Sequence, residues 1–191
     1  MTNLTIIIVF IFLFFLLFSF QSYTKADSIK DFELDGFGIG ESMLNFSSEK
    51  NIKNNIQPYF EDERKYYVIY YNKNLKVFDD LEIYLKTNDK NYIIKSINAG
   101  LYPKNLDECL VKKDQIVEEI SNSLNIGFNN YTNNHSYYKN TKIPTSDGNL
   151  NDGYITVQCL FWDEKDKKKH PMLTDNLAVQ IISNEIEEWF R

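Results

Sequence analysis

The sequence predicts an α+β fold: a single antiparallel sheet of about five to six strands with helices packed on one face, in the order β-α-β-β-β-α-β-β-α. Three observations carry that reading. The β-rich runs 66–71, 81–86 and 92–101 are separated by short polar turns, which join antiparallel neighbours. Residues 106–124 repeat apolar side chains at intervals of three and four, as a helix with one buried side does. Two further runs, 154–162 and 177–182, follow that helix, so blocks of strands are divided by helices, as in α+β domains.

Ahead of these elements, Leu4 to Phe20 is an unbroken apolar run whose only polar members are Thr5 and Ser19. It is slightly short of the roughly 18 to 20 residues that cross a bilayer, and polar residues follow from Gln21. Residues 1–26 therefore read as a signal peptide cut between Ala26 and Asp27. Residues 1–24 hold no Lys or Arg, whereas Lys25 and Lys30 come just after the run. A retained membrane anchor, with the domain on either side, stays open as the alternative. Residues 27–191 remain as one α+β domain, long enough to bury a core without staples.

Within the domain, Asp31 to Asp35 alternates apolar and acidic residues as a first strand, and Gly36, Gly38 and Gly40 turn the chain. Ile39, Met43, Leu44 and Phe46 then follow helical spacing. Ser47 and Ser48 ahead of Glu49 cap a second helical piece that Pro58 closes. In the run 81–86, Leu81, Ile83 and Leu85 face one way and Glu82, Tyr84 and Lys86 the other, so one sheet face is buried and one wetter. The main helix has Asn105 as its N-cap and Asp107 and Glu108 in the first turn, where the helix dipole favours acids. Gly127 to Gly153 shows no sustained period and reads as a long loop, Asp163 to Pro171 as a hairpin tip, and Ser183 as the cap of a terminal helix over 185–190.

The chain carries 27 acidic against 21 basic residues, and removal of Lys25 with the leader makes the domain more acidic still. Nucleic acid is excluded as a partner on that ground. A membrane is expected only through residues 4–20 if the leader is uncut. The remaining partner is an unknown protein or small ligand. Lys and Arg total 21, only Arg64 and Arg191 being Arg; with so much Asn, Ile and Tyr, this is the imprint of an AT-rich genome. In so Asn-rich a chain, triplets such as those at Asn45, Asn130 and Asn134 arise by chance and are not read as glycosylation sites.

Cys109 lies on the apolar stripe of the main helix, and Cys159 shares a strand face with Ile155, Val157 and Phe161. Both point toward one helix-on-sheet interface, where they form either a disulfide or two buried thiols. Neither has the polar neighbourhood that activates a catalytic cysteine. The two histidines, His135 and His170, lack metal-ligand spacing, and no nucleophile elbow occurs, so no catalytic residue, metal or cofactor is expected. The stretch Asp147 to Gly153 departs from a calcium loop at Asp152 and Gln158, and Gly36 to Gly40 departs from a dinucleotide fingerprint at Glu41; both read as turns. Lys165 to Lys169 reads as a solvated turn, with contact to an anionic surface as its alternative. Tyr66, Tyr67, Tyr70, Tyr71, Tyr84 and Tyr92 read first as sheet packing and second as a sugar- or peptide-binding face.

The segment from Asp31 to Leu44, the helix start Asn105-Leu106-Asp107-Glu108-Cys109 and the strand Val157-Gln158-Cys159 with Trp162 resemble a family of small exported proteins from AT-rich marine bacteria. The resemblance implies export, a single domain and pairing of Cys109 with Cys159, and it implies no activity. The expectation is a periplasmic or secreted binding or interaction domain. The alternatives are an accessory subunit anchored in the inner membrane and an extracytoplasmic hydrolase.

Overall fold

The structure is a computed structural model and describes residues 28–58 and 65–190. The apolar run 4–20 and the expected cut between Ala26 and Asp27 lie outside the described residues. The fold is α+β. A two-residue ribbon, β1 (Glu33–Leu34) and β2 (Phe37–Gly38), precedes helix α1 (Glu49–Asn54). A meander of β3 (Tyr66–Tyr71), β4 (Asp80–Lys86) and β5 (Ile94–Leu101) leads into helix α2 (Leu106–Leu124). A second meander follows: β6 (Phe128–Asn134), β7 (Lys142–Leu150), β8 (Gly153–Leu160) and β9 (Asn176–Ser183), with α3 (Glu164–Lys169) before β9 and α4 (Asn184–Phe190) after it. The two meanders share one seven-stranded sheet in the order β3-β4-β5-β9-β8-β7-β6, antiparallel at every pair.

Strand alternation sorts the side chains onto two faces. On one, Leu81, Ile83, Ile97, Ala99, Val157, Val179 and Ile181 are fully buried and form the core with α2 and the opening segment. The Asn105 side chain caps α2 by accepting the Glu108 N–H, and Asn125 ends it in the left-handed conformation. Cys109 of α2 and Cys159 of β8 form a disulfide, with Cα atoms 6.1 Å apart and both residues fully buried. The opening segment docks through its tight turn. Asp35 and Gly36 both have positive φ, a two-residue Asp-Gly hairpin, and the Asp35 carboxylate accepts the N–H groups of Lys76, Val77 and Phe78 at 2.9 to 3.2 Å.

Five expectations are corrected, and the main sheet has seven strands where five to six were expected. The segment 127–153 is not a loop: it supplies β6 and β7. Its strands lack apolar alternation because β6 is an edge strand, mostly exposed on both faces, while β7 turns small or polar groups to the core. Gly148 fits under Phe128 and Ile126, where a Cβ would come within 2.9 Å of both. Asp31 to Asp35 is not one strand: a 3₁₀ turn (Ile29–Asp31) comes first, and only Glu33 and Leu34 pair. Residues 163–171 hold α3, capped by Asp163, in place of a hairpin tip. Finally, the helices do not share one face. α4 lies on the far side, where Trp189 packs edge-on to Tyr66 and Glu185 binds the Tyr66 hydroxyl at 2.7 Å and the Lys95 ammonium at 3.0 Å. Ser183 does not cap it; the Ser183 hydroxyl is buried without a partner, and the Asn184 N–H donates to the Asp152 carbonyl.

Two measurements follow from this packing. The disulfide closes a separation of 50 residues, and by the chain-entropy estimate its loss costs up to about 4 kcal/mol. A Cys109→Ala, Cys159→Ala double variant should therefore unfold at markedly lower denaturant than the oxidised protein. The hydroxyl of Tyr66, then Lys95 and Lys86, hold the Glu185 carboxyl at about 2, below its ordinary 4.5. A depressed carboxyl stabilises the fold above the unfolded value and loses that contribution as pH falls through the folded one. Glu185 is more than a third exposed, so solvent screening keeps the effect to about 1 kcal/mol or less. Glu185→Gln should be the less stable protein at neutral pH. The gap should close between pH 4.5 and about 2 in denaturant titrations.

Candidate functional site

On the sheet face opposite the core, α4 packs toward β3–β5, where Glu185 engages Tyr66, Lys86 and Lys95, and its Glu187 reaches the edge of the surface over β8 and β9. Over most of β6–β8 the face stays open. One lateral row crosses all seven strands through the paired residues Tyr70, Glu82, Asn98, Gln180, Thr156, Asp147 and Asn129. Every member of the row is polar. On β3, β4, β5, β9 and β8 the neighbours of these residues turn Ile, Leu, Ala and Val to the core, whereas β7 and β6 turn Ser146, Gly148 and Phe128 there.

The row is internally bonded. The Asn98 amide donates to Glu82 at 3.0 Å, and the Thr156 hydroxyl donates to Asp147 at 2.7 Å. The Tyr131 hydroxyl donates to the other Asp147 oxygen. Burial of the Tyr131 hydroxyl, then the Asp147 carboxylate, push its pKa up to about 12. Asp147 is thus held by two hydroxyls from the strands on either side, with Tyr131 and Tyr154 standing diagonally across it in the register of β6, β7 and β8. These residues, with Gln158, Gln180 and Glu187 of α4, line a shallow depression of about 560 Å³.

Other arrangements are self-contained. Lys113 of α2 donates to Ser146 at 2.8 Å, and Ser146 donates to Asn130, a geometry reminiscent of a serine–lysine dyad. Ser146 is fully buried, so no substrate reaches its hydroxyl, and Lys113 also binds Asp114 at 2.8 Å. A groove of about 670 Å³ beside α1 holds Glu49, which accepts from Lys53 at 2.6 Å and Tyr92 at 2.9 Å; its charges answer one another. Among the described residues no group of three or more His, Cys, Asp or Glu is gathered as a metal site would require. No helix among them is long and apolar enough to cross a membrane.

The residues singled out in the sequence fall as follows. Cys109 and Cys159 meet in the disulfide. Tyr66, Tyr70 and Tyr84 lie on the far face, Tyr67 and Tyr71 pack against the core, and Tyr92 sits in the turn before β5. The glycines from Gly36 to Gly40 form the β1–β2 turn and its exit. Asp147 belongs to the open face, while Asp152 accepts the Ser28 hydroxyl and the Ile29 N–H. Lys167 pairs with Asp175 at 2.6 Å within the α3 region. His135 and His170 both pack on Tyr138, at ring separations of 5.0 and 5.2 Å. His135 Nδ1 accepts the Tyr137 and Tyr138 N–H groups.

Asp147, Tyr131, Thr156 and Gln180 were not singled out as a site. The signal for two of them is present: Thr156 alternates with Ile155 and Val157, and Gln180 stands between Val179 and Ile181. No protein family, no curated protein and no solved structure matches the chain. The Asp147 bonds can be checked directly. Among the 13 tyrosines, the Tyr131 ring carbon resonance should titrate near pH 12, and Asp147→Asn should move that midpoint down toward the ordinary value of 10.

Proposed function

We propose that this chain is an exported binding domain, working in the periplasm or outside the cell, that presents the open face of its sheet to a ligand without turning it over. The observation that carries the reading is the polar row across all seven strands on a face that α4 covers only in part. Hydrogen bonds across the row fix amides, hydroxyls and a carboxylate on a rigid frame, and such placed polar groups are what orient a ligand in a binding site. The buried disulfide is compatible with an oxidising compartment and supports export. So does the resemblance of the segments around Asp31, Asn105 and Val157 to small exported proteins of AT-rich marine bacteria. The apolar run 4–20 favours a second form of the same reading, in which the leader is kept and the domain is tethered to the inner membrane as an accessory subunit.

Two measurements test the two halves. Mass spectrometry of the protein from its own cells should find a chain beginning at Asp27 and lighter by two hydrogens than the dithiol. An uncut chain with two free thiols would overturn export. For the binding half, a mixed small-molecule library and a cell-envelope extract are titrated into isotope-labelled protein. Amide shifts should concentrate at Thr156, Gln158 and Gln180; shifts confined to the α2 side would sink the open face as the ligand face.

A further inference from the structure

We infer that the depression over β6–β9 is a carbohydrate site that takes a neutral oligosaccharide. The inference rests on the open face being the ligand face and names the ligand class. Charge comes first. None of the residues lining the depression is Lys or Arg, although the chain holds 21 basic residues in all. Phosphate, sulfate and uronate groups find no partner there, and the carboxylates of Asp147 and Glu187 repel them. The lining His135 adds no charge near neutral pH, because burial holds it below its ordinary 6.5.

The remaining chemistry is that of hydroxyl recognition. Gln158, Gln180 and Asn149 each offer a donor and an acceptor on one planar group, which matches a pair of adjacent sugar hydroxyls. Asp147 accepts from Tyr131 and Thr156, one hydroxyl per oxygen; this orients the carboxylate and leaves a further acceptor position on each oxygen. Tyr131, with two-fifths of its surface exposed, and Tyr154 lie diagonally on either side of it and supply apolar ring surface for the C–H faces of a pyranose. All these groups except Glu187 and His135 stand on strands of one continuous sheet, so they are held in place before a ligand arrives. A diamine is the rival that the two carboxylates would suit. It has no use for the amide array.

The experiment titrates the oxidised chain with maltohexaose, cellohexaose, laminarihexaose and mannohexaose, with an alginate oligomer and putrescine as charged probes, reading calorimetry and amide shifts. At least one neutral oligosaccharide should bind, with shifts at Thr156, Gln158 and Gln180. Gln158→Ala and Gln180→Ala should each weaken it about fivefold or more, while Val111→Ser, on the exposed side of α2, leaves it unchanged. Native amide dispersion in each variant separates lost binding from lost folding. Binding of alginate or putrescine in place of every neutral sugar would overturn the inference, as would no binding by any probe. In either case open-face shifts from the envelope extract would keep the binding reading standing, and their absence would remove it too.

Discussion

The seam between β5 and β9 is where the two meanders become one sheet. Ile97 pairs with Ile181, Ala99 with Val179 and Leu101 with Leu177, and the Ser96 hydroxyl donates to the Ile181 carbonyl at 2.7 Å across 85 residues of sequence. The Ile, Ala and Val of this seam are fully buried against the α2 side of the sheet. Without it, each meander would be a small sheet with an exposed hydrophobic edge. Closing so long a loop costs conformational entropy that only a large apolar seam offsets. The Cys109–Cys159 bond supports the same closure from one layer away, because α2 is the crossover between the meanders and the disulfide fixes it over β8.

The seam also determines the sidedness of the molecule. With α2 and the opening segment spread over one face, the apolar residues of β4, β5, β8 and β9 are all drawn to that side. Period-2 alternation then sends their neighbours to the other, where α4 packs on Tyr66 and leaves most of β6–β8 uncovered. The open polar face is thus a consequence of one-sided packing, and its chemistry is a separate matter: over β6–β9 amides, hydroxyls and two carboxylates stand beside His135, Ile143 and Ile182, with no Lys or Arg. That composition underlies both the proposed binding role and the choice of an uncharged ligand.

Much of the frame was legible in the chain. The strands of the first meander, the caps at Ser48 and Asn105 and the amphipathic α2 follow from local pattern, since each depends on residues within a turn or a strand; the same patterns aim Cys109 and Cys159 at one interface without deciding that they bond. The second meander was half hidden. β6 is an edge strand of polar residues, and β7 presents Ser146 and Gly148 to a core where Lys113 and Phe128 fill the space, so neither carries the hydrophobic alternation that announces a strand. The placement of α4 was hidden for another reason: its partners Tyr66, Lys86 and Lys95 come from three strands that only the folded sheet sets side by side.

The sequence by itself determined the first meander, α2 and the two faces of β8 and β9, because propensity, capping and alternation are written in neighbouring residues. Tertiary structure alone decided the order β3-β4-β5-β9-β8-β7-β6 and with it the polar row from Tyr70 to Asn129. Register between strands is a contact between residues far apart in the chain. No local pattern records that Asn98 stands beside Gln180, or that Asp147 lies between Thr156 and the hydroxyl of Tyr131.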